Sequence, residues 1–272
     1  MCTDFPDQLA ADVPRKLEHP FENVPVLDWW KYDYDHVYVV LNPFFRVPGY
    51  TPQTAAFGPM RVTGDAADVL ELVNEGVVER ENEAPENFPD IIKQTGTAVR
   101  WSEVAQAVGA VDFDRFARIV WLQTIAGQAG EDNALMSEQL QEFCDQTGLY
   151  MPEEDLLPAV LETTVGRYLE ALGVDEVTLW NEWREISRDC PVSAFEPDNP
   201  ATGLPGDKLT AVSTDGLLLS WGYDDVAGLL ALTDEMRHRV DPAQFFEGFW
   251  ASAETTSLVF APEGAPPPSR RN

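Results

Sequence analysis

The sequence predicts an α+β protein: a mainly antiparallel sheet with a helical middle segment packed on it. Three observations carry this. "HVYVVLN" (36–42) is a β-branched, apolar strand near the start. Residues 101–173 repeat apolar side chains at helical spacing. "KLTAVST" (208–214) and "LLLSWGY" (217–223) flank Asp215-Gly216, the strongest two-residue hairpin signal. Strands at both ends of a helical middle, without alternating β-α-β units, define the class.

The elements follow in order. Residues 1–35 are punctuated by Pro6, Pro14, Pro20 and Pro25 and read as an extended N-terminal arm pinned by its aromatics. Pro43 ends the first strand, and a loop rich in breakers follows it. A first helix is expected from Asp65 to about Val73, with Asp65 as its cap. Residues 79–98 are polar and loop-like. Helices are expected over 101–109, 112–127, 133–148 (stopped by Gly148) and 152–173, the last with Pro152 in its first turn. The final third changes period. Residues 175–183 read as a strand, 225–232 as a strand or a short helix, and 233–240 as a helix capped by Thr233. Residues 246–252 and 255–261 read as a closing strand pair. With no convincing linker, 36–261 is expected to be a single domain, with 262–272 a disordered tail.

Composition bounds the function. The chain has 272 residues, with 47 Asp plus Glu against 18 Lys plus Arg, for a formal charge of −29 at pH 7. Its lysines are Lys16, Lys31, Lys93 and Lys208. The acids are spread through helical stretches beside 8 Trp, 14 Phe and 7 Tyr, which argues against an acidic disordered tail. So large a charge repels itself unless the Debye length is short: about 10 Å at 0.1 M salt and about 3 Å at 1 M. The composition therefore predicts a halophilic, cytoplasmic protein working at molar salt. Clustered cations for phosphate are missing, so nucleic acid is not an expected partner. No apolar stretch approaches 18 residues, so no membrane is expected. Cys2, Cys144 and Cys190 are odd in number and far apart, and suggest neither a disulfide framework nor a zinc site.

Several blocks then fall into an order resembling a known family. They are "LNPFFRVPGYTP", "NFPDIIKQTGTAVRWSEV", "GLYMPEEDLLPAVL", "YLEALGVDEVTLWNEW", "DGLLLSWGYDD" and "GFWASAETTSLVF". The chain resembles the uncharacterised family called domain of unknown function 2711 across most of residues 36–260. In the family pattern histidines stand near the positions of Asn42 and Ser220, where this chain has none. The resemblance therefore implies a fold class and no histidine site or activity.

Motifs for chemistry are sparse. His19, His36 and His238 have no metal-ligand spacing, and phosphate-binding glycine loops and nucleophile elbows are missing. No metal and no cofactor is expected. "WSEVAQAVGAVDFDRFARIV" has the outline of a helix-turn-helix, but its acids favour a structural helical hairpin. Trp180 and Glu182 are expected on one face of a strand. An acid beside a large aromatic can have its pKa raised for acid catalysis. Trp29, Trp30, Trp180, Trp183 and Trp221 are the candidates for an aromatic groove. The leading expectation is a non-enzymatic binding or interaction protein whose groove takes a protein or small-molecule ligand. The alternative is a hydrolase using paired carboxylates, Glu182 with Asp224 or Asp225.

Overall fold

The computed structural model describes residues 14–58, 82–125 and 130–260. The helix expected at Asp65–Val73 and the tail 262–272 lie outside them. In chain order the elements are α1 (Val26–Trp29), β1 (His36–Leu41), β2 (Phe44–Arg46), α2 (Phe88–Thr95), β3 (Thr97–Val99), α3 (Trp101–Ala107), α4 (Phe113–Thr124), α5 (Ala134–Thr147) and α6 (Ala159–Ala171). They continue with β4 (Glu176–Trp180), β5 (Ser187–Pro191), β6 (Ala211–Thr214), β7 (Leu217–Trp221), β8 (Ala227–Leu232), α7 (Asp234–Arg239) and β9 (Gly248–Trp250).

Seven strands form one sheet in the order β5-β4-β6-β7-β8-β1-β9, every neighbouring pair antiparallel. β2 and β3 make a separate two-stranded ribbon. The chain is thus α+β with a mainly antiparallel sheet. Helices cover both sheet faces. On one, Val39, Leu218 and Leu229 pack with Trp30 of the α1 end, Trp101, Phe116 and Leu140. On the other, Tyr38, Val212, Leu219 and Leu230 pack with Val165, Tyr168 and Leu169 of α6. This explains why "AGLLAL" shows no alternation: β8 is a central strand buried on both sides. The Asp215-Gly216 hairpin forms as expected, with Thr214 paired to Leu217 and Gly216 at φ +77°.

Several boundaries differ from expectation, each for a local reason. Residues 152–158 are not helical. Asp155 sits at φ +67°, with its N–H bonded to the Asp225 carbonyl. Pro158 also disfavours helical backbone at Leu157, so α6 starts only at Ala159. The strand expected over 175–183 stops at Trp180, because Asn181 accepts the N–H groups of Glu185 and Ile186 and closes a turn into β5. The loop-like stretch 79–98 contains α2 and β3. Of the closing pair expected at 246–252 and 255–261, the described residues 255–260 do not pair with β9, whose partner is β1; among them Thr256 bridges to Pro25. Residues 14–35 include a 3₁₀ turn at Arg15–Leu17 as well as α1, so this part of the expected arm is locally folded.

Candidate functional site

Four loops meet beyond the ends of β4 and β7. The 181–186 turn brings Glu182, Trp183 and Arg184, and the turn after β7 brings Gly222, Tyr223 and Asp225. The segment before α1 contributes His19 and Phe21, with Trp29 from α1 itself; Ser257 and Leu258 complete the wall. They enclose a cavity of about 670 Å³, within the usual range for a small-molecule site.

Arg184 braces these loops. It is 6% exposed and takes φ +59°. Its Nε donates to the Leu17 carbonyl at 2.9 Å; Nη1 donates to the Asn181 and Glu182 carbonyls and to Thr210 Oγ1. Nη2 donates to Ser220 Oγ at 2.8 Å. Burial lowers its pKa to about 10, still cationic at neutral pH. Because guanidinium can only donate, Ser220 Oγ accepts from it, and the same hydroxyl hydrogen-bonds His19 Nδ1, 2.9 Å away. Burial, reinforced by the Arg184 charge, pushes the imidazole down to about 3. His19 is therefore neutral, and its Nε2 has no hydrogen-bond partner. It packs on Gly222, where a Cβ would come within 2.7 Å of that nitrogen.

Asp225 is the second buried group at this cavity, 4% exposed. It accepts backbone N–H bonds from Val226 and Ala227, while Oδ2 has no partner. Burial pushes its pKa well above the ordinary carboxyl value, outweighing those two bonds. Asp224 lies apart from the cavity, in a group with Glu154 and Asp155 whose carboxylate oxygens come within 4.8 Å of one another. Burial and the Asp155 charge raise its pKa. Asp155 in this group is buried and already pairs with Lys208 Nζ at 3.2 Å, while Glu154 and Asp224 are half-buried.

The sequence candidates divide accordingly. Trp29, Trp183, Trp221, Glu182 and Asp225 line the cavity, and Trp183 is 67% exposed. Trp221 contributes little open surface, since it is buried and its Nε1 donates to Asn42 Oδ1. Trp30 is wholly buried in the core. Trp180 pairs with Ala211, which pairs with Ser220, so all three share one face and Trp221, one residue on, faces the other. The expected surface of Trp180, Glu182 and Trp221 does not form: Trp180 donates to Ser213 Oγ elsewhere, and Glu182 lies beyond the strand. His19, Arg184, Phe21 and Tyr223 were not foreseen. The positive φ at Arg184 and the 201-residue separation of His19 from Ser220 leave no local sequence signal.

With this geometry in hand, the chain can be placed. It belongs to the family described as protein of unknown function DUF2711, whose pattern it matches over residues 22–259. No curated protein and no solved structure matches it. Asn42 and Ser220, near whose positions the family pattern has histidines, are both fully buried. Asn42 ties Trp221 and the Glu153 carbonyl, and Ser220 links Arg184 to His19.

Proposed function

We propose that this protein is a non-enzymatic binding protein that takes a small molecule into the cavity beside the 181–186 turn. The observation that carries the reading is an arginine-braced cavity with aromatic walls. Phe21, Trp29, Trp183 and Tyr223 offer flat apolar surface there, and Asp225 offers a polar atom with no internal partner. Concave, mostly apolar sites with a few convergent polar groups are the usual form of ligand pockets. Native mass spectrometry on protein purified at high salt, followed by metabolite identification, tests it. A retained small molecule, released when Trp183 is changed to Ala, is expected. Co-purification of no molecule, with tryptophan fluorescence unmoved by fractionated cell metabolites, would overturn it.

A second reading, a hydrolase with paired carboxylates, is favoured by one observation. Glu182 and Asp225 border the same cavity, the first exposed and the second buried, where desolvation raises its pKa above the ordinary carboxyl range. Asp225 would be the acid and Glu182 the base. Turnover of any ester or glycoside lost in both Asp225→Asn and Glu182→Gln would favour it over binding alone.

The working medium belongs to the same proposal: a cytosol at molar salt. The charge of −29 supports it. Melting should move down as KCl is diluted from about 3 M to 0.1 M, where screening weakens. A melting temperature independent of salt would overturn this part.

A further inference from the structure

We infer that the ligand is an organic cation, an alkylammonium or guanidinium compound; this rests on the binding reading above. Aromatic ring faces attract cations, best when both are withdrawn from water. Besides the buried Trp221, the cavity presents four aromatic side chains, of which Trp183 and Tyr223 are 67% and 69% exposed and open to an incoming group. One of the four already carries a cation: the Arg15 guanidinium lies 4.7 Å from the Trp29 ring centroid, while Phe21 meets the same indole edge-on at 4.8 Å. The charged groups on the wall point the same way. Glu18, Glu22, Glu182 and Asp225 are acidic, and the buried Asp225 Oδ2 has no partner within the protein.

The basic groups of the wall are already engaged within the protein. Arg184 gives its N–H groups to three carbonyls and two hydroxyls, so it is committed to the scaffold. His19, held by Ser220, contributes no charge. An anionic ligand would meet four acids and no available cation. A neutral ligand could donate to the Asp225 oxygen but would offset none of the acidic charge of the wall, whereas a cation supplies a counter-charge. Contacts withdrawn from solvent are screened far less by salt than surface pairs, so such recognition survives a saline medium.

Three compounds of one shape separate the possibilities: choline, its uncharged analogue 3,3-dimethylbutan-1-ol, and the anion 3,3-dimethylbutanoate. Each is titrated at constant high ionic strength and followed by tryptophan fluorescence and calorimetry. Choline should bind at least tenfold more tightly than the alcohol, and the anion should not bind. Trp183→Ala, at an exposed position that leaves the fold intact, should weaken choline about tenfold, within the range of a partly desolvated cation–π contact. Asp225→Asn, which keeps the acceptor for the Val226 and Ala227 N–H groups, should weaken choline and leave the alcohol unchanged. Equal or tighter binding of the alcohol or the anion would overturn the cation assignment while leaving a ligand-binding cavity in place. Failure of choline to bind would also overturn it. If the metabolite experiment then found no ligand either, the binding reading would fall with it.

Discussion

Two buried acids in this molecule have opposite surroundings. Glu162 on α6 lies 3.0 Å from Lys93 Nζ, both side chains almost wholly withdrawn from solvent. Both of its oxygens accept from the Thr202 N–H, and Lys93 donates further to the Ala194 and Pro200 carbonyls. The pair closes the 192–207 segment over α2 and α6. Asp225 at the cavity has two backbone donors and an oxygen with none. Every polar atom of the first site is used internally; the second retains bonding capacity. Burial raises the pKa of both acids, but only Glu162 has a cation to oppose that rise. An internally satisfied charge marks structure, whereas an unsatisfied one beside an open cavity marks a place for something else.

The largest effect should come from breaking the satisfied pair. Lys93→Met leaves Glu162 buried without its counter-charge and should cost about 3–5 kcal/mol of folding stability. Adding Glu162→Leu should return much of that loss, because an apolar pair of similar volume can replace a buried ion pair. Denaturant unfolding at fixed high salt measures both. A Lys93→Met loss below about 1 kcal/mol, the range of exposed pairs, would erase the contrast with Asp225.

The unsatisfied acids should respond in the opposite direction. An acid whose folded pKa is raised stabilises the fold below its unfolded pKa, and that stability is lost as pH rises through the folded value. Asp225 is such a group, and so is Glu153, which burial raises to about 8 with one oxygen unpartnered. Stability should therefore fall as pH rises from about 4.5 toward 8 because of Glu153. Glu153→Gln should flatten that slope and raise the melting temperature at pH 8 by several degrees, at about 2–4 °C per kcal/mol for a chain of this size. Asp225→Asn should act similarly at neutral pH, in contrast to Lys93→Met. A loss of stability at pH 8 in both variants would mean that these carboxylates are satisfied as anions and that the comparison is wrong.

The same contrast separates what the sequence makes legible from what it hides. The Asp215-Gly216 hairpin and the strand at 36–41 are local: turn chemistry and β-branched runs specify them without help from the rest of the chain. The antiparallel class follows from them. The start of α6 is hidden, because Asp155 is held out of helix by the Asp225 carbonyl 70 positions away. Trp180 and Glu182 were expected to share strand parity, but the strand ends between them through the side chain of Asn181. The cavity was partly legible as tryptophan content, which brought in Trp29 and Trp183. Its polar wall was not, since Arg184, Ser220 and His19 meet only through sheet register and the return of the N-terminal segment.

The smallest effect should come from a hydrogen-bonded contact on the surface. His36 Nε2 and Asp234 Oδ1 are 2.6 Å apart, with side chains 30% and 67% exposed. Asp234 also opens α7, where a negative charge suits the helix dipole. By distance alone this contact is shorter than Lys93–Glu162, and a reading based on geometry would rank it higher. Solvent reverses that rank, because exposed charges are already well hydrated and lose their attraction within a Debye length of about 3 Å at 1 M salt. The hydrogen bond from His36 holds the Asp234 carboxyl below its ordinary range, so its contribution is present above the unfolded pKa and disappears as pH falls through the folded value. At low salt a second influence opposes this one: removing one negative charge from a chain at −29 relieves self-repulsion. Asp234→Asn should therefore leave the melting temperature at about 3 M KCl within about 1 °C of the parent, as expected for an exposed pair. On dilution to about 0.1 M the variant should fall no further than the parent, because the weakened hydrogen bond and the relieved repulsion have opposite signs. A loss at high salt as large as that of Lys93→Met would show that contact distance, and not burial, decides which charges hold this fold together.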